Sequence, residues 1–143
     1  LCPSITYEGQ AAVRLEEAQD KYEQGAYEMP VREKENLLEA DVISLFREAS
    51  QDRKAPGRLA RRFHRGLVLG LARWARLGAD RTGVTSVALG GGVLNNRTLL
   101  AELPVELRRL GLDPLLPSAM PAGDGSIALG QALWGDWFLD QPE

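Results

Sequence analysis

An α/β layer with its ligand chemistry at the carboxyl ends of the strands is the architecture this sequence predicts. Three observations carry that prediction. Two short apolar runs, residues 84–89 and Leu115-Leu116, each lead through a turn rich in small residues into a helical pattern. Elsewhere apolar residues recur three or four positions apart, the period of a helix buried along one face. The composition, 44% hydrophobic and 26% charged, is that of a folded soluble domain and argues against disorder. Strand–turn–helix units side by side favour a layered fold with ligand sites at the strand carboxyl ends.

The elements follow in order. Between residues 8 and 24, Ala11, Leu15, Ala18 and Tyr22 take helical spacing, and Gly25 offers a stop. Residues 27–31 and 36–40 are expected to form a hairpin around the charged tip Arg32-Glu33-Lys34-Glu35. Asp41 can cap a helix through Val42, Leu45 and Phe46 to Ser50. Pro56-Gly57 breaks the chain before a long helix, in which Leu59, Phe63, Leu67 and Leu71 fall four apart and Trp74 follows. Gly66 and Gly70 on that helix would admit a neighbouring backbone, and Gly78 is expected to end it. Residues 84–89 predict a buried strand. Leu99, Leu103, Leu107 and Leu110 then mark a helix kinked or restarted at Pro104. Leu115 and Leu116 predict a second strand, residues 118–125 a loop, and Ile127, Leu129, Ala132, Leu133 and Trp137 a last helix. Both small-residue turns would then face the same side of the sheet.

Size and charge exclude several classes. The 143 residues suit one domain with a modest core. A formal net charge of −3 gives no molecule-wide footprint for nucleic acid, so such a partner is not expected. The single cysteine, Cys2, cannot form an internal disulfide. Apolar runs are short and interrupted by arginine or glycine, so no membrane span or signal peptide is expected. A cytoplasmic location is the default. Leu1 in place of Met suggests a piece of a longer polypeptide.

Two loops are candidates for chemistry. In Val87-Ala88-Leu89-Gly90-Gly91-Gly92-Val93-Leu94-Asn95-Asn96-Arg97, a strand ends in three glycines before a helix. Exposed backbone N–H groups and the positive end of a helix dipole can hold phosphate, ribose or carboxylate there. A tight turn with Asn95 or Asn96 as helix cap is the alternative; three glycines exceed what a turn needs. The spacing matches neither a dinucleotide fingerprint nor a P-loop. In Pro121-Ala122-Gly123-Asp124-Gly125-Ser126, Asp124 can bind Mg²⁺, Zn²⁺, Fe²⁺ or a hydroxyl, or can cap the last helix, the more frequent use of such an aspartate. His64, the only histidine, sits in Arg61-Arg62-Phe63-His64-Arg65 and is expected to be a surface or half-buried structural residue. The surrounding arginines, from Arg58 to Arg65, are expected to form a solvated helical face. One cysteine and one histidine cannot build a structural zinc site.

Taken as an ordered set, four stretches resemble a known family: ITYEGQAAVRLEEA (5–18), RRFHRGL (61–67), VALGGGVLNNRTLL (87–100) and PAGDGSIALGQA (121–132). They are similar to the C-terminal part of HypF, the carbamoyltransferase of nickel–iron hydrogenase maturation, whose C-terminal domain is in turn similar to TsaD. The resemblance covers nearly the whole chain. It implies one RNase H-like lobe of the ASKHA fold of actin, sugar kinases and chaperone ATPases, with residues 1–143 as its C-terminal lobe. The implied activity makes carbamoyl-adenylate from carbamoyl phosphate and ATP, then passes the carbamoyl group to the C-terminal cysteine of HypE.

Carried over residue by residue, the resemblance places Gly91, Gly92, Val93 and Asn96 at the nucleotide, with Glu8 and Gln10 near the ribose. It makes Asp124 a ligand of a divalent metal (Zn, Fe or Mg), completed by histidines outside this chain. The implied partners are a HypE-like protein and the remaining HypF domains, with a homodimer through the bare lobe face a further expectation. The chain departs from the family pattern at Gly90, where Ser is common, and at Gly123 and Ser126, where Asn and Gly are usual. Holding at most half of the nucleotide site and one metal ligand, the lobe alone is expected to be inactive. A TsaD-like role on tRNA and a non-catalytic interaction module are the competing readings; near-neutral charge and the TYEGQAA form speak against the first.

Overall fold

The computed structural model describes residues 4–52, 55–118, 120 and 123–139. Cys2 and the Pro121-Ala122 start of the second candidate loop lie outside the described residues. Helix α1 spans Gln10–Glu17, shorter at both ends than the periodicity predicts. Asp20 closes a turn, its carboxylate accepting the Tyr22 N–H at 2.9 Å, so the chain leaves the helical path well before Gly25. No residue of α1 is buried.

The hairpin exists but its tip lies further along the chain. Strands β1 (Val31–Lys34) and β2 (Leu37–Ala40) pair antiparallel, with Lys34 opposite Leu37. The two turn residues, Glu35 and Asn36, both have positive φ, 50° and 65°. Such a two-residue turn matches the strand twist, and Asn tolerates the left-handed conformation well. The charged stretch Arg32 to Lys34, expected at the tip, is therefore strand. Residues 27–30, expected as strand, instead run extended across a helix and bury Tyr27 and Met29.

Asp41 caps helix α2 (Val42–Gln51) as expected, accepting the Ser44 N–H at 3.0 Å and the Ser44 hydroxyl at 2.7 Å. The helix turns Leu45 and Ala49 inward and leaves Phe46 exposed. Helix α3 (Pro56–Thr82) is the longest element, 27 residues, and passes straight through Gly78. It ends at Gly83, whose φ of 74° lets its N–H reach the Ala79 carbonyl. A lone glycine costs a helix only about 1 kcal/mol, too little to stop one supported by packing on both sides.

Strand β3 (Ser86–Ala88) leads through a 3-10 turn, Gly92–Asn95, into helix α4 (Arg97–Arg109). Helix α4 neither stops nor restarts at Pro104, which is buried inside it. Strand β4 (Asp113–Leu115) pairs parallel with β3, Ser86 opposite Asp113. A second 3-10 turn, Asp124–Ser126, leads into helix α5 (Ile127–Leu139).

Helix α3 divides the core in two. One cluster joins Val68, Ala72 and Ala79 of α3 to Leu99, Leu103 and Leu107 of α4 and to Leu112. The other gathers Tyr27, Met29, Leu45 and Ala49 on the opposite side. The predicted backbone approach occurs at Gly66, where a Cβ would overlap the Tyr27 carbonyl; at Gly70 the close neighbour is instead the Met29 side chain. Helix α5 forms where the sequence predicts a last helix. No residue of it is buried, and Leu133, Trp134, Trp137, Phe138 and Leu139 are all exposed.

Candidate functional site

Because β3 and β4 are parallel, both end on the same side, Ala88 opposite Leu115. The Leu89 N–H extends the pairing to the Leu115 carbonyl at 2.9 Å. There the chain leaves the sheet through Gly90, Gly91 and Gly92. Gly91, with φ 94° and ψ 161°, occupies a conformation essentially restricted to glycine. A Cβ on any of the three would meet nothing within 4 Å, so the chain's own packing does not require the missing side chains. Among the described residues no acceptor takes the amides of Gly90, Gly91 or Gly92. The loop thus presents an open strip of backbone donors.

The turn is fastened where it meets α4. The Asn96 side chain caps the helix, its Oδ1 accepting the Leu99 N–H at 3.0 Å. Its Nδ2 lies 2.9 Å from His64 Nε2 on α3. Glu16 Oε1 accepts the Arg97 N–H at 2.8 Å, and the Gln19 amide donates to the Thr98 hydroxyl at 2.7 Å. These bonds tie α1 and the residues after it to the start of α4. At the positive end of α4 the Arg97 amide is thus already taken by the Glu16 carboxylate, whereas the glycine amides are not taken by any described residue.

A cleft of ≈ 380 Å³ lies between α1, α3 and the glycine turn. Four of the predicted residues line it together, Glu8, Gly92, Val93 and Asn96, along with Glu16 and His64. Gly91 adjoins it in the chain. Gln10 is not among its lining residues; its Oε1 folds back to accept the Thr6 N–H at 2.7 Å, holding the approach to α1.

The second loop reaches the first. A Cβ on Gly123 would sit 3.6 Å from both Gly92 Cα and Asn95 Nδ2. A further cleft of ≈ 390 Å³ at the strand ends is lined by Gly90, Leu115 and Ser126. Asp124 follows Gly123, is exposed, and opens the second 3-10 turn. Among the described residues its carboxylate accepts no hydrogen bond, so the helix-capping alternative is not adopted there. No group of three His, Cys, Asp or Glu side chains among the described residues could hold a metal ion. The carboxylate of Asp124 alone is one ligand and does not make a metal site.

His64 was expected near the surface and is instead 3% exposed. Its Nδ1 is 2.8 Å from the Ala60 carbonyl, and its Nε2 meets Asn96. Sequence patterns gave no signal for that contact, because the partners lie 32 residues apart. The neighbouring arginines are engaged in ion pairs: Arg58 with Asp52, Arg61 with Glu102 at 2.6 Å, and Arg62 with Glu23 at 3.2 Å. This differs from the solvated face expected of these arginines: Arg61 and Arg62 are half-buried in their ion pairs.

The clearest electrostatic perturbation lies away from the cleft. Burial, followed by its hydrogen bond to Asp52, pushes the Tyr27 hydroxyl up to about 12. The Arg58 guanidinium, and then Tyr27, hold the Asp52 carboxyl below its usual range. This cluster fastens the 27–30 segment between α2 and α3. Its chemistry is structural.

Comparison with known proteins converges on one family. The family described as "Carbamoyltransferase, Kae1-like Domain, second subdomain" matches residues 1–131. The chain is 51% identical over 83 residues to the carbamoyltransferase HypF of Rhizobium leguminosarum bv. viciae, covering 58% of this chain and 11% of that one. It is 34% identical over 135 residues to the carbamoyltransferase HypF of Synechocystis sp., covering 93% of this chain and 17% of the relative. A crystal structure of full-length HypF in the phosphate- and nucleotide-bound form superposes with a TM-score of 0.85 and 31% identity, over 96% of this chain and 18% of that one. The chain therefore spans less than a fifth of these relatives' length. Its mixed arrangement of five helices and short strands is that of an ASKHA-like lobe. No helix among the described residues is long and apolar enough to cross a membrane. From its matching motifs and its fold, the chain belongs to the HypF carbamoyltransferase family, in the second subdomain of its Kae1-like domain.

Proposed function

We propose that this chain forms one wall of the nucleotide site of an ATP-dependent carbamoyltransferase. One observation carries the proposal: Glu8, Gly92, Val93 and Asn96 meet in a single cleft, beside glycine amides that no described residue accepts. Carbamoyl-adenylate, made elsewhere in the parent protein from carbamoyl phosphate and ATP, is the ligand this wall would receive. The open amides of Gly90 to Gly92 would bond its phosphate or ribose oxygens. Fixed donors of this kind stabilise negative charge as it grows on a leaving group.

The acceptor is the C-terminal cysteine thiolate of a HypE-like partner. Its sulfur attacks the carbamoyl carbon, the bond from that carbon to the adenylate oxygen breaks, and AMP leaves with the electron pair. A nucleophile borne by the partner explains why none is required here. Asp124 would contribute one ligand to a divalent metal, Zn, Fe or Mg, whose histidine ligands lie outside this chain. The remaining HypF domains would cover the exposed face of α5. With one wall of the site and one carboxylate, the chain alone is not expected to turn over.

The test uses the complete polypeptide that carries this chain. Gly91→Val forces a β-branched residue into the φ of 94° and should weaken binding of a non-hydrolysable ATP analogue by about tenfold or more. Carbamoylation of the HypE-like partner, read by mass spectrometry, should fall with it. Unchanged affinity in a folded variant would remove the glycine turn from the site.

A further inference from the structure

We propose that His64 is a positioning residue: it orients the Asn96 amide and through it holds the glycine turn in its nucleotide-accepting shape. The inference rests on the nucleotide reading above and adds to it the buried group that sets the geometry.

The assignment follows from donor and acceptor matching. The Ala60 carbonyl can only accept, so the His64 nitrogen 2.8 Å from it, Nδ1, carries the proton. In the neutral ring Nε2 is then an acceptor. Asn96 Nδ2, 2.9 Å away, is the donor that fits it. The other end of the same amide, Oδ1, accepts the Leu99 N–H at 3.0 Å. Each of the three bonds is compatible with one ring tautomer and one amide orientation only. Rotating the amide by half a turn would oppose an N–H₂ to the Leu99 N–H and a carbonyl oxygen to the Nε2 lone pair, breaking two bonds together.

The consequence reaches the cleft. Asn96 is both the cap of α4 and the residue that closes the Gly92–Asn95 turn, where its N–H bonds the Val93 carbonyl at 3.1 Å. Fixing its side chain from α3 fixes where the turn leaves the cleft. Because His64 is buried at the back of the cleft and anchored to its own helix, it can set this geometry without contacting the nucleotide.

The test measures affinity for a non-hydrolysable ATP analogue in the complete polypeptide, with circular dichroism as the check on folding. His64→Leu removes the acceptor and should weaken affinity about five- to tenfold, the scale of one orienting hydrogen bond. His64→Gln places an amide oxygen within reach of Asn96 and should restore affinity to within about threefold. Asn96→Ser keeps a helix cap but cannot reach His64, so it gives the same measurement where His64→Leu fails to fold. The double variant should bind no more weakly than the weaker single one, because both remove the same link. Multiplying effects in the double variant, or no rescue by His64→Gln, would overturn the proposal. Loss of affinity in Gly91→Val with none in the His64 and Asn96 variants would sink this inference alone. No loss in Gly91→Val would instead sink the nucleotide reading, and this inference with it.

Discussion

Gly66 and Gly78 lie on the same helix, and replacing each by alanine should move stability in opposite directions. Alanine is better than glycine in a helix interior by about 1 kcal/mol. At Gly78 a Cβ meets nothing within 4 Å, so that gain should appear nearly whole. At Gly66 the Cβ would overlap the Tyr27 carbonyl oxygen and lie 2.8 Å from Leu45 Cδ1. Tyr27 has little room to retreat. Its N–H bonds the Arg62 carbonyl at 3.1 Å, and its hydroxyl bonds Asp52 at 2.8 Å. Leu45 is completely buried. Overpacking of a tethered core costs about 1–3 kcal/mol, which set against the propensity gain leaves Gly66→Ala less stable by up to about 2 kcal/mol. The two variants should therefore differ by about 1–3 kcal/mol. Urea unfolding followed by far-ultraviolet circular dichroism measures this as a shift of midpoint at constant slope. If Gly66→Ala proved as stable as Gly78→Ala, the close packing of residues 27–30 on α3 would be wrong.

Leu45→Ala should cost about 2–5 kcal/mol, since it empties a fully buried site between α2 and α3, and the same unfolding assay reads it. Tyr27, raised from 10.0 to about 12, lends stability that is complete below pH 10 and is lost as pH rises toward 12. Tyr27→Phe should remove that alkaline dependence, seen as a flatter profile of unfolding midpoint against pH. Asp52 has the opposite sign: with its folded value depressed, the stability it lends is present near neutrality and is lost as pH falls through that lowered value. Asp52→Asn should flatten the acid limb of the same profile. Trp134→Ser with Trp137→Ser, both on exposed α5, should reduce any self-association of the chain seen by analytical ultracentrifugation; unchanged association would exclude α5 as the contact.

Much of the site was legible because its signals are local. Asp41 capping α2 and the two strand–turn–helix units depend on neighbours within a turn or two of chain, and Gly66 and Gly70 mark a bare helix face although what packs there, Tyr27 and Met29, lies far off in sequence. The glycine turn was readable for the same reason. The hairpin tip was misplaced because charge marked residues 32–35, whereas the turn is set by the backbone freedom of Glu35 and Asn36. The stop at Gly78 failed because packing on both sides of α3 outweighs one glycine's entropy.

The order of elements and the family were thus legible in the sequence itself, through periodicity, turn chemistry and motif order. Only the tertiary structure decided that His64 belongs behind the cleft, that Glu16 occupies the head of α4, and that Gln10 turns away. Gln10 folds onto Thr6, four residues back, whereas the other two outcomes are contacts between segments far apart in the chain, 32 residues for His64 with Asn96 and 81 for Glu16 with Arg97. No local pattern encodes them. They arise when α3 packs against α4, and buried donors and acceptors must then find each other.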